Sequence, residues 1–231
     1  MAARPGVGKT TLALNIAAYV ASKGNKVGFY SLEMSAAELM ERLIASESGV
    51  DSHRIRQHRL TMEDIARIGI AIYRMSTWQL AIDDTSSMST FELSTRAKRE
   101  KAERGLDLLV VDYLGLITPP ESTDSRVEQV SIITRQLKVL SRELQIPVIA
   151  VSQLNRQVEA RGDGEPRLSD LRDSGSVEQD SDQVIFLWRE GKDDPASHLV
   201  FTQCKVAKNR HGPTGLFTLA LLKEQSKFVV R

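Results

Sequence analysis

The chain has 231 residues, 41% of them apolar and 26% charged, enough for one sizeable hydrophobic core and a single domain over 1–231. Its 31 Lys and Arg nearly cancel its 30 Asp and Glu, so bulk charge points to no nucleic acid, anionic membrane or acidic substrate. A lone cysteine, Cys204, excludes an intrachain disulfide framework and a Cys-rich zinc site and suits a reducing, cytoplasmic setting. No apolar run approaches the ~18 residues of a membrane-spanning helix, and the N-terminus lacks the apolar stretch of a signal peptide, so no membrane partner is expected.

In chain order, Ala3-Arg4-Pro5-Gly6-Val7-Gly8-Lys9-Thr10 comes first and follows the phosphate-binding pattern G-x-x-x-x-G-K-[ST], with Ala3 replacing the first glycine. It runs into an apolar helix predicted over Thr11 to Ala21. Glycines let backbone N–H groups turn inward around phosphates, which then sit at the positive end of the helix dipole. Lys9 reaches the β- and γ-phosphates in such a loop, and Thr10 ligates magnesium. A phosphate-binding loop normally leaves a buried strand, yet only Met1 and Ala2 precede the motif. The chain therefore reads as truncated at its N-terminus, with the first core strand absent.

Three short apolar runs follow, Val27 to Leu32, Leu106 to Val111 and Ile146 to Val151, and read as strands buried on both faces of a parallel sheet. Helices are predicted between them. Ser35 with Glu38, Ser89 with Glu92 and Ser125 with Glu128 have capping-box spacing, and Thr61 with Asp64 has a weaker version. Past Gln153 comes a polar stretch, Asn155 to Gly175, then strand-like runs Gln183 to Trp188, Leu199 to Val206 and Leu216 to Leu222, ending in a hairpin. The fold class is α/β.

Ligands of open α/β sheets bind beyond the carboxyl ends of the strands. Glu33, Asp112 and Gln153 fall there. Asp112 suits holding magnesium through water, Glu33 polarising an attacking water, and Gln153 sensing a γ-phosphate. Other charged stretches say less. Asn155 to Asp173 mixes Arg156, Arg161, Arg167 and Arg172 with Glu159, Asp163, Glu165, Asp170 and Asp173, the composition of a solvated loop. Lys208 and Arg210 precede Gly212-Pro213, which by itself favours a plain basic turn. The four histidines, His53, His58, His198 and His211, lack zinc-ligand spacing.

Taken together, Ala2-to-Thr11 (AARPGVGKTT), Tyr30-to-Ser35 (YSLEMS), Val111-to-Leu116 (VDYLGL), Ser152-to-Arg156 (SQLNR), Asp170-to-Asp182 (DLRDSGSVEQDSD) and Lys208-to-Gly215 (KNRHGPTG) resemble the C-terminal motor domain of the bacterial replicative DNA helicases, the DnaB family. The resemblance covers essentially the whole chain. It implies a RecA-like P-loop NTPase core with a mostly parallel central sheet and a C-terminal β-hairpin. It implies a homo-hexamer ring that hydrolyses ATP with Mg2+ at subunit interfaces and moves along single-stranded DNA. On this pattern Gly6, Val7, Gly8, Lys9, Thr10 and Thr11 cradle the nucleotide, Arg42 contacts its site, Glu33 is the catalytic base, Thr10 and Asp112 serve magnesium and Gln153 senses the γ-phosphate. Lys208 and Arg210 reach into the neighbouring subunit's site, Arg210 as an arginine finger, and Arg172, Asp173 and Gly175 face the DNA channel. Full-length relatives carry a primase-binding N-terminal domain and a linker helix, expected to be absent here, and work with primase and a helicase loader. Two other readings stay open: a RecA-like ATPase that does not unwind, against which YSLEMS and the Lys208/Arg210 pair weigh, and a truncated fragment with weak ATPase that binds DNA or helicase subunits.

Overall fold

Alternate residues of the central strands are apolar in both registers, so each strand presents apolar side chains to both faces and needs helices over both. The structure, a computed structural model, describes residues 1–119, 125–158, 161, 164–189 and 197–230, the side chains of 126, 157 and 172–176 excepted. The elements run β1 (Ala2–Ala3), α1 (Lys9–Ser22), β2 (Val27–Ser31), α2 (Ala36–Ser48), α3 (Ser52–Arg56), α4 (Met62–Met75), β3 (Leu80–Asp83), β4 (Met88–Ser89), α5 (Thr90–Glu103), β5 (Leu108–Asp112), β6 (Ile117–Thr118), α6 (Arg126–Leu144), β7 (Val148–Gln153), α7 (Gly175–Asp180), β8 (Gln183–Trp188), β9 (Leu199–Asn209), β10 (Gly215–Leu222) and β11 (Lys227–Val230). Among the described residues one nine-stranded sheet forms in the order β11-β10-β9-β8-β1-β7-β5-β2-β3. The pairs from β8 to β3 are parallel, and β8 to β11 form an antiparallel meander.

Strand alternation sorts the core into two layers. Val27 and Phe29 of β2 and Leu108 and Val110 of β5 pack under Ala13, Leu14, Ala17 and Ala21 of α1 and Leu39 and Leu43 of α2. On the other face Tyr30, Leu109 and Val111 meet Leu93 and Ala97 of α5 and Ile133, Leu137 and Leu140 of α6. The small alanines of α1 let that helix lie close to the sheet just behind the phosphate loop. Helix starts follow their side-chain chemistry: Ser35, Thr61 and Ser89 form reciprocal boxes with Glu38, Asp64 and Glu92. The Ser125 hydroxyl accepts from the Glu128 amide.

The structure departs from the sequence reading at several points. The strand position before the phosphate loop is not empty: Ala2 and Ala3 pair in parallel with Ser152 and Gln153 on one side and Phe186 and Leu187 on the other. Two residues suffice because both neighbouring strands supply backbone partners. The loop-following helix begins at Lys9 rather than Thr11, since the amide of Leu12 already reaches the carbonyl of Gly8. The edge strand β3 has no counterpart among the expected strands; its half-buried Leu80-Ala81-Ile82 is too short an apolar run to separate from the end of α4. β5 and β7 start two residues later than the apolar runs suggest, because Leu106 and Ile146 fill the core ahead of the ladder. No helix among the described residues is long and apolar enough to cross a membrane.

Cys204 lies buried beside Ala3, Leu187 and Leu219. Burial pushes its thiol up to about 11, so the reactive thiolate is scarce at neutral pH. Thiol reagents at pH 8 should therefore label the protein only after denaturation. Labelling of the native chain as fast as the unfolded one would contradict this packing.

Candidate nucleotide site

β1 ends at Ala3 and the chain turns at once into the loop, because two glycines hold it in conformations that other residues avoid. Gly6 has φ +79° and Gly8 has φ +113°. At Gly8 space is also limiting: a Cβ there would lie 2.9 Å from the Phe228 ring of β11. The guanidinium of Arg4 donates to the Leu154 carbonyl at 2.9 Å, and that of Arg189 donates to the Val7 carbonyl at 3.2 Å. Loop and sheet are thereby tied together on both sides.

Lys9 opens α1 and its ammonium sits between two carboxylates. It donates to Glu33 Oε2 at 2.9 Å and lies 3.5 Å from Asp112 Oδ1. The ring of Tyr113 lies beneath it at 5.1 Å, a cation–π contact. Exposure separates the two acids: the Asp112 side chain is 0% exposed and that of Glu33 44%. Burial pushes the Asp112 carboxyl above its ordinary range, opposed chiefly by the Lys9 charge. Among the described residues neither Asp112 oxygen makes a hydrogen bond of ordinary geometry, although the Lys9 ammonium and the Thr10 hydroxyl beside it offset part of the burial. A buried carboxylate short of partners, at the end of a strand beside a phosphate loop, would suit a hydrated divalent cation. Thr10 and Thr11 are buried next to Lys9, and Arg42 of α2 donates to Thr11 Oγ1 at 3.4 Å.

The structure thus brings Gly6, Val7, Gly8, Lys9, Thr10, Thr11, Glu33, Arg42 and Asp112 into one neighbourhood. Gln153 joins them at the end of β7, in register with Ala3 and exposed. It lines a cleft of about 350 Å³ together with Arg4, Tyr113, Asn155 and Arg156. Lys208 and Arg210 do not join. Lys208 is paired with Val184 near the start of β8, whereas Ala3 is paired with Leu187 near its end. From Val184 to Leu187 is about 10 Å of strand, and the loop projects onward from Ala3, away from Lys208. Arg172 and Asp173 belong to a 3-10 segment, Leu168–Ser174, and Gly175 opens α7; their side chains lie outside the described residues. Around them Arg161 pairs with Asp170, and Lys205 with Glu165 at 2.5 Å.

Sequence reading assigned no role to Arg4, Tyr113, Arg189 or Phe228. Arg189 follows the carboxyl end of β8, the same positional rule that singled out Glu33, Asp112 and Gln153. Phe228 carries no such signal, since only the three-dimensional course of β11 brings it to Gly8.

A glycine-turned loop at the end of a central parallel strand, with its lysine facing a strand-end aspartate, defines an α/β P-loop nucleotide-binding domain. Residues 1–230 match the DnaB-like helicase C terminal domain, and the chain belongs to that family. It is 44% identical over 234 residues to the replicative DNA helicase DnaB of Geobacillus stearothermophilus, covering 99% of this chain and 51% of that protein. It is 44% identical over 232 residues to the replicative DNA helicase DnaC of Bacillus subtilis, again covering 99% of this chain and 51% of that protein. The chain spans about half the length of these curated relatives. A solved structure of a DnaB-like replicative helicase and its interactions with primase superposes with TM-score 0.92 at 37% identity, over 99% of this chain and 56% of that chain. A second solved structure, of an ATPase domain, gives TM-score 0.92 at 37% identity, over 100% of this chain and 83% of that chain.

Two outcomes test the site. Gly8→Ala forces a side chain into a left-handed conformation and against Phe228, at a cost of about 1–3 kcal/mol, and should lower both the melting temperature and nucleotide affinity. Asp112→Asn removes a buried charge that burial penalises more than its neighbours compensate, while Lys9 keeps Glu33. It should melt at the same temperature or higher at pH 7 but lose magnesium-dependent hydrolysis; a clear drop in melting temperature would mean that the Lys9–Asp112 contact outweighs burial.

Proposed function

We propose that this chain is the motor domain of a replicative DNA helicase that hydrolyses ATP with Mg2+ between the subunits of a homo-hexamer ring and moves along single-stranded DNA in the cytoplasm to unwind duplex at the fork. The observation that carries the reading is the split of its functional residues. The loop, Lys9, Glu33 and Asp112 stand at the carboxyl ends of the parallel strands, whereas Lys208 and Arg210 stand at the opposite ends of the same sheet. A cation pair that cannot serve its own chain's loop suits a neighbour's.

Each residue then takes one role in this reading. Lys9 and the loop amides bind the phosphates, and Arg42 with Thr11 flanks the cradle. Thr10 and Asp112 would hold magnesium, which when bound supplies charge compensation for the phosphates. Glu33, the more exposed acid, takes a proton from the attacking water, and Gln153 hydrogen-bonds the terminal phosphate. Arg210 of one subunit spreads positive charge over the phosphoryl oxygens in its neighbour's site. Arg172, Asp173 and Gly175 follow the DNA backbone without reading sequence, as a translocating motor requires. The interaction with primase described for one solved relative is extended to the full protein only.

Hydrolysis per subunit should climb with protein concentration and again on adding single-stranded DNA. A rate flat in both would overturn the ring-motor reading. Arg210→Ala should lower kcat by roughly 10³ while nucleotide binding persists. Mixing that variant with Lys9→Ala subunits should restore partial activity, because some interfaces regain both an intact loop and an intact finger.

A further inference from the structure

Lys208 and Arg210 are not loose on a turn. The Lys208 ammonium donates to the Glu178 carbonyl at 2.5 Å, and the Arg210 guanidinium donates to the Gln179 carbonyl at 3.2 Å. Both acceptors belong to the last turn of α7, where carbonyls lack helical partners and cations are favoured. Asp182, just past that helix, completes the seat. Its carbonyl accepts from the Arg210 amide at 2.9 Å, and its Oδ1 lies 3.4 Å from Arg210 Nη1. Its other oxygen is held by Lys138 of α6, and Thr134 one turn earlier donates to Asp180 at 3.1 Å. Lys138 foremost, with Arg210 behind it, holds the Asp182 carboxyl below the usual carboxylate range, so it is ionised whenever Arg210 is to be steered.

We propose that Asp182, braced by Lys138, is a positioning residue that aims Arg210 at the neighbouring subunit's nucleotide. This rests on the reading of Arg210 given above. Side-chain exposure argues for aim rather than stability: Asp182 is 43% and Arg210 46% exposed, and ion pairs in such surroundings contribute little to folding. What the pair does supply is direction. A guanidinium has five N–H donors in a fixed plane; with Nη1 on Asp182 and Nη2 on Gln179 that plane is set, and the donors not used there are held in a defined orientation. Because Gly175, at the other end of α7, is itself one of the residues assigned to DNA, this reading puts one short helix between the DNA contact and the seat of Arg210.

The test is Asp182→Ala, with Asp182→Asn as the milder variant should alanine disturb the fold. A misaimed finger should lower kcat of ATP hydrolysis by about tenfold or more, with KM and melting temperature unchanged. Mixing Asp182→Ala subunits with Lys9→Ala subunits should then raise the rate above the sum of the two alone. Unchanged kcat, or a loss that mixing does not relieve, would overturn the proposal, because Asp182 would then act only within its own chain. Arg210→Ala run in parallel separates the two ideas. If its own loss is absent, the trans reading of Arg210 falls and this proposal with it; if that loss appears and Asp182→Ala is silent, only the positioning role falls.

Discussion

Everything at the site hangs from the two-residue strand β1. Ala2 and Ala3 are locked in parallel between β7 and β8, and the Leu154 amide donates to the Ala3 carbonyl at 3.1 Å. That pairing fixes where the loop begins. The same ladder carries the level across the sheet: Ala3 is opposite Gln153, Val151 opposite Asp112, and Asp112 opposite Ser31, with Glu33 just beyond. Four strands distant in sequence thus end together because the packing of their two faces selects this register, and a slip by one residue would turn every core side chain to the other layer.

Much of this was legible in advance. Apolar runs named the central strands because burial on both faces leaves no polar position to confuse them, and hydroxyl–carboxylate spacing marked the helix starts because the capping bond is local. Even Thr61 with Asp64 forms a full reciprocal box despite its shorter acid. Glu33, Asp112 and Gln153 could be proposed from a single rule about strand ends. Features set by contacts distant in sequence were not legible: the β3 edge, the persistence of β1, the Tyr113 ring under Lys9 and the Phe228 ring against Gly8. Lys208 and Arg210 lie between these cases. Their residue types alone fit an ordinary basic turn, and their seat on α7 emerges only when β9 is laid beside β8.

Charge along the polar segment after β7 illustrates why composition was uninformative there. Arg161 with Asp170 and Lys205 with Glu165 neutralise each other locally. A segment whose cations alternate with acids in this way produces little basic field, so contact with a phosphate backbone rests on placement and on backbone amides rather than on net charge.

The Phe228 contact also bears on the order in which the domain is made. Asn15 of α1 accepts from the Phe228 amide at 2.8 Å and donates to the Ser226 carbonyl at 3.2 Å, so the first helix is completed by the last strand. A chain leaving the ribosome therefore displays its phosphate loop early but obtains the wall behind Gly8 only when β11 emerges. Within this stretch the motif that names the site is synthesised well before the strand that walls it.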